Sequence, residues 1–416
     1  GLDSVEQVVV MSETVPETAI DAVAFEDLVA AHEGGGYDWP DIHEDQPAGM
    51  CYTSGTTGMP KGCEYTHRMY YLHAMMVTTP AALDISEGDT IMPVVPMFHV
   101  NAWEFPYAAT MAGAKLVLSG PAPSTADRVG LIEDEGVSLA AGVPTVWIDV
   151  LDHVADQSEP LGSLDRLIVG GSAAPEDMMR RYEEDYGVVV DHAWGMTETM
   201  SIGSVSRPTS EMADWARADR FSQRKKQGIL SPGLEMRIRD EDGAEVPADG
   251  EAFGELHVRG PTVISEYYNR PEATEEDFDG EWLKTGDIVS IDEHGYLEVV
   301  DRAKDVIKSG GEWISSIELE NALMAHEAVL EATVIAVPHD RWQERPLACV
   351  RMSPDSNMSG EDLRSFLETE YDFPSWWLPD NIAFEDDIPK TATGKFDKKA
   401  LRSRHEDTDL RWTPTG

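Results

Sequence analysis

Three glycines, four residues with aliphatic hydroxyl groups and one lysine are concentrated between Tyr52 and Gly62, in the run YTSGTTGMPKG. The candidate ligand-binding residues of this run are Thr53, Ser54, Gly55, Thr56, Thr57, Gly58 and Lys61. Glycine lets backbone N–H groups approach an anion closely, hydroxyls donate further hydrogen bonds, and an ammonium group offsets negative charge. The run is not a Walker loop, because no Gly-Lys-Ser/Thr sequence follows a correctly spaced glycine. It predicts a polyphosphate-binding loop, with a flexible surface loop as the alternative.

The same run resembles the signature of the adenylate-forming enzymes, the superfamily of acyl-CoA synthetases, luciferases and peptide-synthetase adenylation domains. Further similar segments follow in the family's order: PMFHVNAW (96–103), AGVPTVW (141–147), VGGSAAP (169–175), HAWGMTET (192–199), LKTGD (283–287), DRAKDVIKSGGEWISSIELE (301–320) and PKTATGKFDKKALR (389–402). HVNAW and SGGEWISSIELE are most similar to medium- and long-chain fatty-acid CoA ligases. The resemblance implies two steps: ATP and a carboxylate form an acyl-adenylate, and coenzyme A then takes the acyl group as a thioester.

The resemblance also implies which residues act during adenylation. Thr197 resembles a phosphate-contacting threonine, and Glu198 resembles the glutamate that holds Mg²⁺, a hard ion suited to oxygen ligands. Thr53 is a second candidate ligand of that ion. Lys395 resembles the lysine that bridges the carboxylate and the α-phosphate oxygens. Taken alone, the Thr-Glu pair is typical of a helix cap and Lys395 of a solvated surface lysine.

A nucleotide-binding wall is implied by three further motifs. Asp287 resembles the carboxylate that accepts both ribose hydroxyls, and Arg302 resembles a second ribose contact, although TGD by itself indicates only a turn. The other expected nucleotide contacts are Gly170, Gly171, Ser172, Trp194, Gly195 and Met196. A Gly-Gly pair after an apolar run is also typical of an ordinary strand-to-helix turn.

The acyl-binding residues implied by the resemblance are His99, Trp103, Ala173 and Trp194. His99 resembles the acyl-site histidine of the ligases, and Trp103 resembles a tryptophan that gates the fatty-acid tunnel. Packing in the core is the alternative for such an aromatic run. The sequence departs from the family at 192–194, where His-Ala-Trp replaces the more common Gln-Gly-Tyr, so the chain length of the substrate stays open.

A hinge and a second-step site are expected towards the carboxyl end. Lys304 resembles the family's hinge residue, where a few backbone angles absorb a domain rotation. That rotation would bring Gly310 and Gly311 to face a coenzyme A tunnel, with Lys308 approaching the second-step site.

These residues need a scaffold of two kinds of sheet. Short β-rich runs such as TIMPVVP, LDRLIVGG and VVVDHAWG alternate with helical stretches, which predicts a doubly wound α/β arrangement over 51–200. Between 205 and 301, strands separated by turns predict a small antiparallel sheet or barrel. The expected domains are an AMP-binding large domain over 1–303, incomplete at its start, and a mobile α+β C-terminal domain over 304–416.

Charge dominates the composition of the 416-residue chain. It contains 78 Asp and Glu against 32 Lys and Arg, a formal charge of −46. Such a field repels nucleic acid and anionic membrane surfaces, so binding to either is disfavoured. The spread of acidic residues resembles that of halophilic proteins, in which concentrated salt screens self-repulsion.

Cysteine spacing and hydropathy predict that the protein is located in the cytoplasm. The three cysteines show neither a disulfide framework nor paired metal-ligand spacing, and no apolar run approaches the roughly 20 residues of a membrane span. The chain begins with Gly rather than Met, so we expect its true start to be missing. A homodimer is expected if that segment is present. The alternatives are a ligase for short-chain, thioether-propionate or aryl acids, and a non-catalytic nucleotide- or acyl-binding fragment.

Overall fold

The computed structural model describes residues 5–405, except 13, 54–58, 121, 158–160, 241, 311, 354–355, 357, 372 and 391–395. The chain divides into two units, Gly1–Gln46 and Pro47–Gly416. The first contains strands β1 (Val8–Val10) and β2 (Ala22–Ala24), which pair in parallel, and helix α1 (Phe25–Ala31). β1 lies within the apolar run VEQVVVM (5–11).

The second unit opens with a β-hairpin, β3 (Pro47–Tyr52) and β4 (Gly62–Thr66). Tyr52 lies opposite Gly62 in the antiparallel register. The pairing continues beyond the strands, because Thr53 N donates to the carbonyl of Lys61 at 2.9 Å. The hairpin therefore closes the neck of the predicted polyphosphate loop.

A seven-stranded sheet forms the centre of this unit. Its strands are β5 (Thr90–Pro93), β6 (Lys115–Leu116), β7 (Leu139–Gly142), β8 (Arg166–Val169), β9 (Val189–Trp194), β10 (Ser204–Val205) and β11 (Ile229–Leu230). Their order is β11-β10-β9-β8-β7-β5-β6. Strands β5 to β9 are parallel, whereas β10 and β11 are antiparallel. The doubly wound arrangement predicted for 51–200 is confirmed.

Helices cover both faces of this sheet. They are α2 (His67–Thr78), α3 (Val100–Trp103), α4 (Phe105–Ala112), α5 (Thr125–Glu135), α6 (Pro144–Gln157), α7 (Glu176–Asp185) and α8 (Arg217–Arg224). Because successive strand residues point to opposite faces, Leu167 and Val169 join the core with Trp147 of α6. Ile168 joins the other core, with Ala108 of α4. Burial on both faces explains why these strands are continuous apolar runs.

The segment predicted as barrel-like is a five-stranded antiparallel sheet. It comprises β12 (Glu235–Arg239), β13 (Phe253–Arg259), β14 (Phe278–Asp279), β15 (Trp282–Ile291) and β16 (Leu297–Arg302), with helix α9 (Pro271–Asp277) before β14. The order is β12-β13-β15-β14, and β16 also pairs with β15. Its core includes Trp194 from the end of β9. The two sheets therefore meet at the last residue of β9.

The carboxyl-terminal part has a sheet of its own. Its elements are β17 (Ile307–Ser309), β18 (Glu312–Ile314), α10 (Ser316–Met324), β19 (Val329–His339), β20 (Gln343–Met352), α11 (Gly360–Glu370), β21 (Asn381–Phe384) and α12 (Lys398–Arg404). The sheet order is β18-β17-β20-β19, with β21 parallel to β20. Helices α10 and α11 pack on one core and α12 on another. The α+β elements are as predicted, and the boundary at 303/304 stays a prediction.

No helix in the described part of the chain is both long enough and apolar enough to cross a membrane.

Candidate active site

A cavity of about 490 Å³ opens where strands β8 and β9 end. In doubly wound sheets, ligands bind in the crevice at the carboxyl ends of the parallel strands. Predicted site residues in its wall are Thr53, Lys61, His99, Trp103, Gly170, Gly171, Trp194, Gly195, Met196, Thr197, Glu198, Arg302 and Lys304. Residues from both sheets therefore face one space.

The flanks of the predicted polyphosphate loop reach this wall. Lys61 forms an ion pair with Asp277, and its ammonium lies 4.7 Å from the centroid of the Tyr267 ring. The Lys61 N–H contacts the Thr53 hydroxyl at 3.3 Å. The Lys61 ammonium is therefore held in place at the neck of the loop. Ser54, Gly55, Thr56, Thr57 and Gly58 lie outside the described residues.

Glu198 is a buried carboxylate, 6% exposed, at the centre of a polar network. The Tyr267 hydroxyl lies 2.8 Å from Glu198 Oε1 and 3.0 Å from Asp277 Oδ2. Burial raises the pKa of Glu198, while the Tyr267 hydrogen bond and the charges of Arg302 and Lys61 oppose that rise. A carboxylate in the cavity wall offers the hard oxygen ligand that Mg²⁺ favours. Glu198 therefore fits the predicted magnesium ligand.

The turn that presents Thr197 and Glu198 depends on glycine. A β-carbon on Gly195 would lie 1.3 Å from the carbonyl oxygen of Ser201, so no other residue fits there. Residues Thr197–Thr199 form a single turn of 3₁₀ helix. The Tyr65 hydroxyl donates to the Thr197 carbonyl at 2.6 Å, which fixes this turn against the β3–β4 hairpin.

The predicted ribose carboxylate is held from two sides. Asp287 is 1% exposed, and its Oδ2 accepts from Trp194 Nε1 at 2.8 Å. Its Oδ1 lies 2.6 Å from Arg302 Nε, and the two residues face each other across β15 and β16. Arg302, Thr285 and Gly286 line the cavity. Asp287 therefore orients two wall residues, Trp194 and Arg302.

The turn that carries Trp103, one of the predicted acyl-binding residues, has an unusual backbone conformation. Residues Val100 to Glu104 all have positive φ, between 46° and 64°. Left-handed backbone is costly for residues with a β-carbon, and such strain is commonly kept at functional sites. The turn places Trp103 in the wall, where a β-carbon on Gly170 would lie 3.4 Å from its ring.

Glu104 ends this turn as a buried acid. It is 0% exposed, and its carboxyl oxygens have no hydrogen-bond partner among the described residues. Burial raises the pKa of Glu104 to about 9.

Several predicted residues lie elsewhere. Ser172 is exposed and Ala173 half-buried, and neither belongs to the cavity wall in the described part of the chain. The Lys308 ammonium lies 5.3 Å from the centroid of the Trp313 ring, and Gly310 N donates to the Trp342 carbonyl, both away from the cavity. Gly311 and Lys395 lie outside the described residues.

Sequence reasoning missed several polar residues of the wall, among them Tyr267, Asp277, Lys284 and Glu255. Tyr267 and Asp277 lie in a turn and at the end of a short helix, within a segment whose motif was not recognised. Tyr267 reaches Glu198, which lies 69 positions away in the sequence. A local pattern does not reveal a contact of that separation.

Comparison with known proteins finds two family matches. The AMP-binding enzyme family matches residues 2–268, and the AMP-binding enzyme C-terminal domain matches residues 318–395. A medium-chain-fatty-acid–CoA ligase of Ectopseudomonas oleovorans is 44% identical over 94% of this chain and 70% of its own length. A long-chain-fatty-acid–CoA ligase of Thermus thermophilus is 44% identical over 97% of this chain and 73% of its own. The solved structure of the anthranilate CoA ligase AuaEII with anthranoyl-AMP has a TM-score of 0.83 at 27% identity, covering 97% of this chain and 74% of that one.

Proposed function

Because the chain belongs to the AMP-binding enzyme family, we propose that it joins a medium- or long-chain fatty acid to coenzyme A in two ATP-dependent steps. In the first, a carboxylate oxygen attacks the α-phosphorus of ATP and pyrophosphate leaves. In the second, the coenzyme A thiol attacks the acyl carbonyl and AMP leaves. The observation that carries this proposal is that Thr53 and Lys61, at the neck of the phosphate loop, face the same cavity as His99 and Trp103.

The chemistry of the first step is mainly positioning and charge stabilisation, because a carboxylate is a weak nucleophile. Lys61 and Arg302 place positive charge on the cavity wall, and both are held by carboxylates that fix their direction. The Thr197 hydroxyl is proposed to contact the phosphates. Glu198, with Thr53, would hold Mg²⁺, which when bound would offset negative charge on the phosphate oxygens.

We propose that Lys395 acts only in adenylation and that rotation near Lys304 then brings Lys308 and Gly310 to the second-step site. Support comes from the present arrangement, in which Lys304 lines the cavity whereas Lys308 and Gly310 do not. Lys395→Ala should abolish adenylation yet leave thioester formation from supplied acyl-adenylate largely intact. Both half-reactions can be followed separately, and an equal loss in both would contradict the two-conformation proposal.

Substrate choice is tested with a panel of carboxylic acids. Octanoate and palmitate should give acyl-CoA and AMP, whereas acetate, thioether propionates and benzoates should react more slowly. Anthranilate belongs in the panel because the structurally similar AuaEII binds its adenylate. Reaction of short or aryl acids with inert octanoate and palmitate would overturn the fatty-acid proposal. Absence of ATP–pyrophosphate exchange with every acid would favour the binding-fragment alternative.

We further propose that the protein works in a cytoplasm of high salt, on the strength of its charge of −46. The predicted homodimer stays a prediction.

A further inference from the structure

Three side chains of the kinds that bind metal ions meet in the carboxyl-terminal part of the protein. They are Cys349 on β20, Glu385 just after β21, and His405 at the end of α12. One sulfur, one oxygen and one nitrogen atom, one from each, lie within 4.8 Å of one another. We propose that this cluster binds a transition-metal dication, and that Zn²⁺ suits it best.

The backbone brings these residues together through regular structure. Cys349 pairs with Ala383 in the parallel register of β20 and β21. Two residues further on, Glu385 N donates to the carbonyl of Val350 at 2.9 Å, which holds Glu385 beside Cys349. On the other side, Leu401 of α12 is buried in the same core cluster as Cys349. The last turn of α12 therefore ends above the thiol.

The donor set matches zinc chemistry. Cysteine sulfur, histidine nitrogen and carboxylate oxygen are its ordinary ligands, and three protein ligands leave a fourth position for water. With metal–ligand bonds of about 2.0–2.3 Å, tetrahedral ligand atoms are roughly 3.3–3.7 Å apart. The ring nitrogen of His405 and Oε1 of Glu385 lie 2.8 Å apart and the widest separation is at most 4.8 Å, so the separations need to change by only about 1 Å or less.

The surroundings also favour a bound cation. Arg404 pairs with the other oxygen of Glu385 and so directs Oε1 towards His405; such outer contacts orient metal ligands. The carboxyl end of α12 contributes partial negative charge. Cys349 is fully buried, whereas the side chains of Glu385 and His405 are 10% and 13% exposed. Solvent therefore reaches the cluster at Glu385 and His405 rather than at the thiol.

Zinc takes cysteine as the thiolate, so metal uptake at this cluster should release the Cys349 proton.

The test uses the full chain stripped with a chelator and titrated with Zn²⁺ by calorimetry and with Co²⁺ by absorption. We expect one stoichiometric site, a thiolate-to-cobalt band and a raised unfolding temperature with Zn²⁺. Cys349→Ser should remove the band, and His405→Gln should weaken binding by more than about tenfold. Cys51→Ser is the matched control, because Cys51 is also buried and free but lies in the β3–β4 hairpin.

Each outcome decides the proposal. Absence of stoichiometric uptake, or a thiolate band that both Cys349→Ser and His405→Gln leave unchanged, would mean that the cluster is only a network of ion pairs. If Cys349→Ser fails to fold, the partly exposed His405 carries the test. Failure of pyrophosphate exchange with intact zinc binding would refute the proposed function and leave the metal site standing.

Discussion

Asp287→Asn tests whether the buried carboxylate organises the nucleotide site. Asp287 accepts from Trp194 Nε1 at 2.8 Å and lies 2.6 Å from Arg302 Nε. Asparagine offers one acceptor and one donor, so one of these two N–H groups must face an amide N–H. A hydrogen bond to a charged group contributes about 1.5–3 kcal/mol. Because Arg302 is 42% exposed, solvent screening places the loss near the lower end, at about 2 kcal/mol.

That energy corresponds to a roughly thirtyfold fall in kcat/KM for ATP, since about 1.4 kcal/mol is a factor of ten. The assay is ATP–pyrophosphate exchange at varied ATP and at varied fatty acid, and KM for the fatty acid should change little. The matched control is Asp292→Asn. Asp292 is also a largely buried carboxylate, with its side chain 11% exposed. It is bound to Lys226 at 2.6 Å and Gln223 at 2.5 Å, but neither of these partners lines the cavity, whereas Trp194 and Arg302, the partners of Asp287, do.

The control should lower the unfolding temperature and leave kcat/KM for ATP within about twofold. An unchanged kcat/KM in Asp287→Asn would refute the role given to this carboxylate. An equal fall in both variants would show that the effect is a general loss of stability.

Three further predictions concern ionisation and charge. Tyr267→Phe removes a hydrogen bond that lowers the pKa of Glu198, so the acid limb of the kcat/KM–pH profile should move to higher pH, and an unmoved limb would contradict this. Glu104 has a pKa of about 9 in the folded protein, so it stays protonated there at neutral pH. In the unfolded chain the same carboxyl loses its proton above its ordinary pKa. The free energy of unfolding of the wild type should therefore fall as pH rises. We would measure the free energy of unfolding by urea between pH 5 and 8. Its fall per pH unit should be smaller in Glu104→Gln than in the wild type, by up to about 1.4 kcal/mol per pH unit, whereas an equal fall in both proteins would count against a buried proton. Raising KCl to about 1 M, where the Debye length is about 3 Å, should raise the unfolding temperature of this highly acidic chain, and a flat response would argue against salt dependence.

The elements that sequence predicted best are those specified locally. The apolar runs of β8 and β9 indicated parallel strands, and the residues directly after them, Gly170 and Gly195, reach the cavity as expected. The parallel sheet itself places such residues at one edge. The sequence therefore placed correctly the motifs that come directly after a strand.

Contacts between distant segments were not predictable in the same way. Tyr267 meets Glu198 and Asp277 because α9 and the antiparallel sheet fold back over the end of β9. No local periodicity encodes that approach. The left-handed turn from Val100 to Glu104 was also unforeseen, because it contains no glycine to mark positive φ.

The charges of the cavity wall bear on how a triphosphate would be held. Among the described wall residues, the cations are Lys61, Lys284, Arg302 and Lys304, and they face the acids Glu198, Glu255, Glu276 and Asp277. The wall therefore has nearly balanced formal charge, in a chain whose overall field repels anions. A polyanion then needs further positive charge at the moment of binding. The Mg²⁺ proposed at Glu198 and the proposed ammonium of Lys395 are two sources of such charge, and only the second would be withdrawn in the proposed rotation near Lys304.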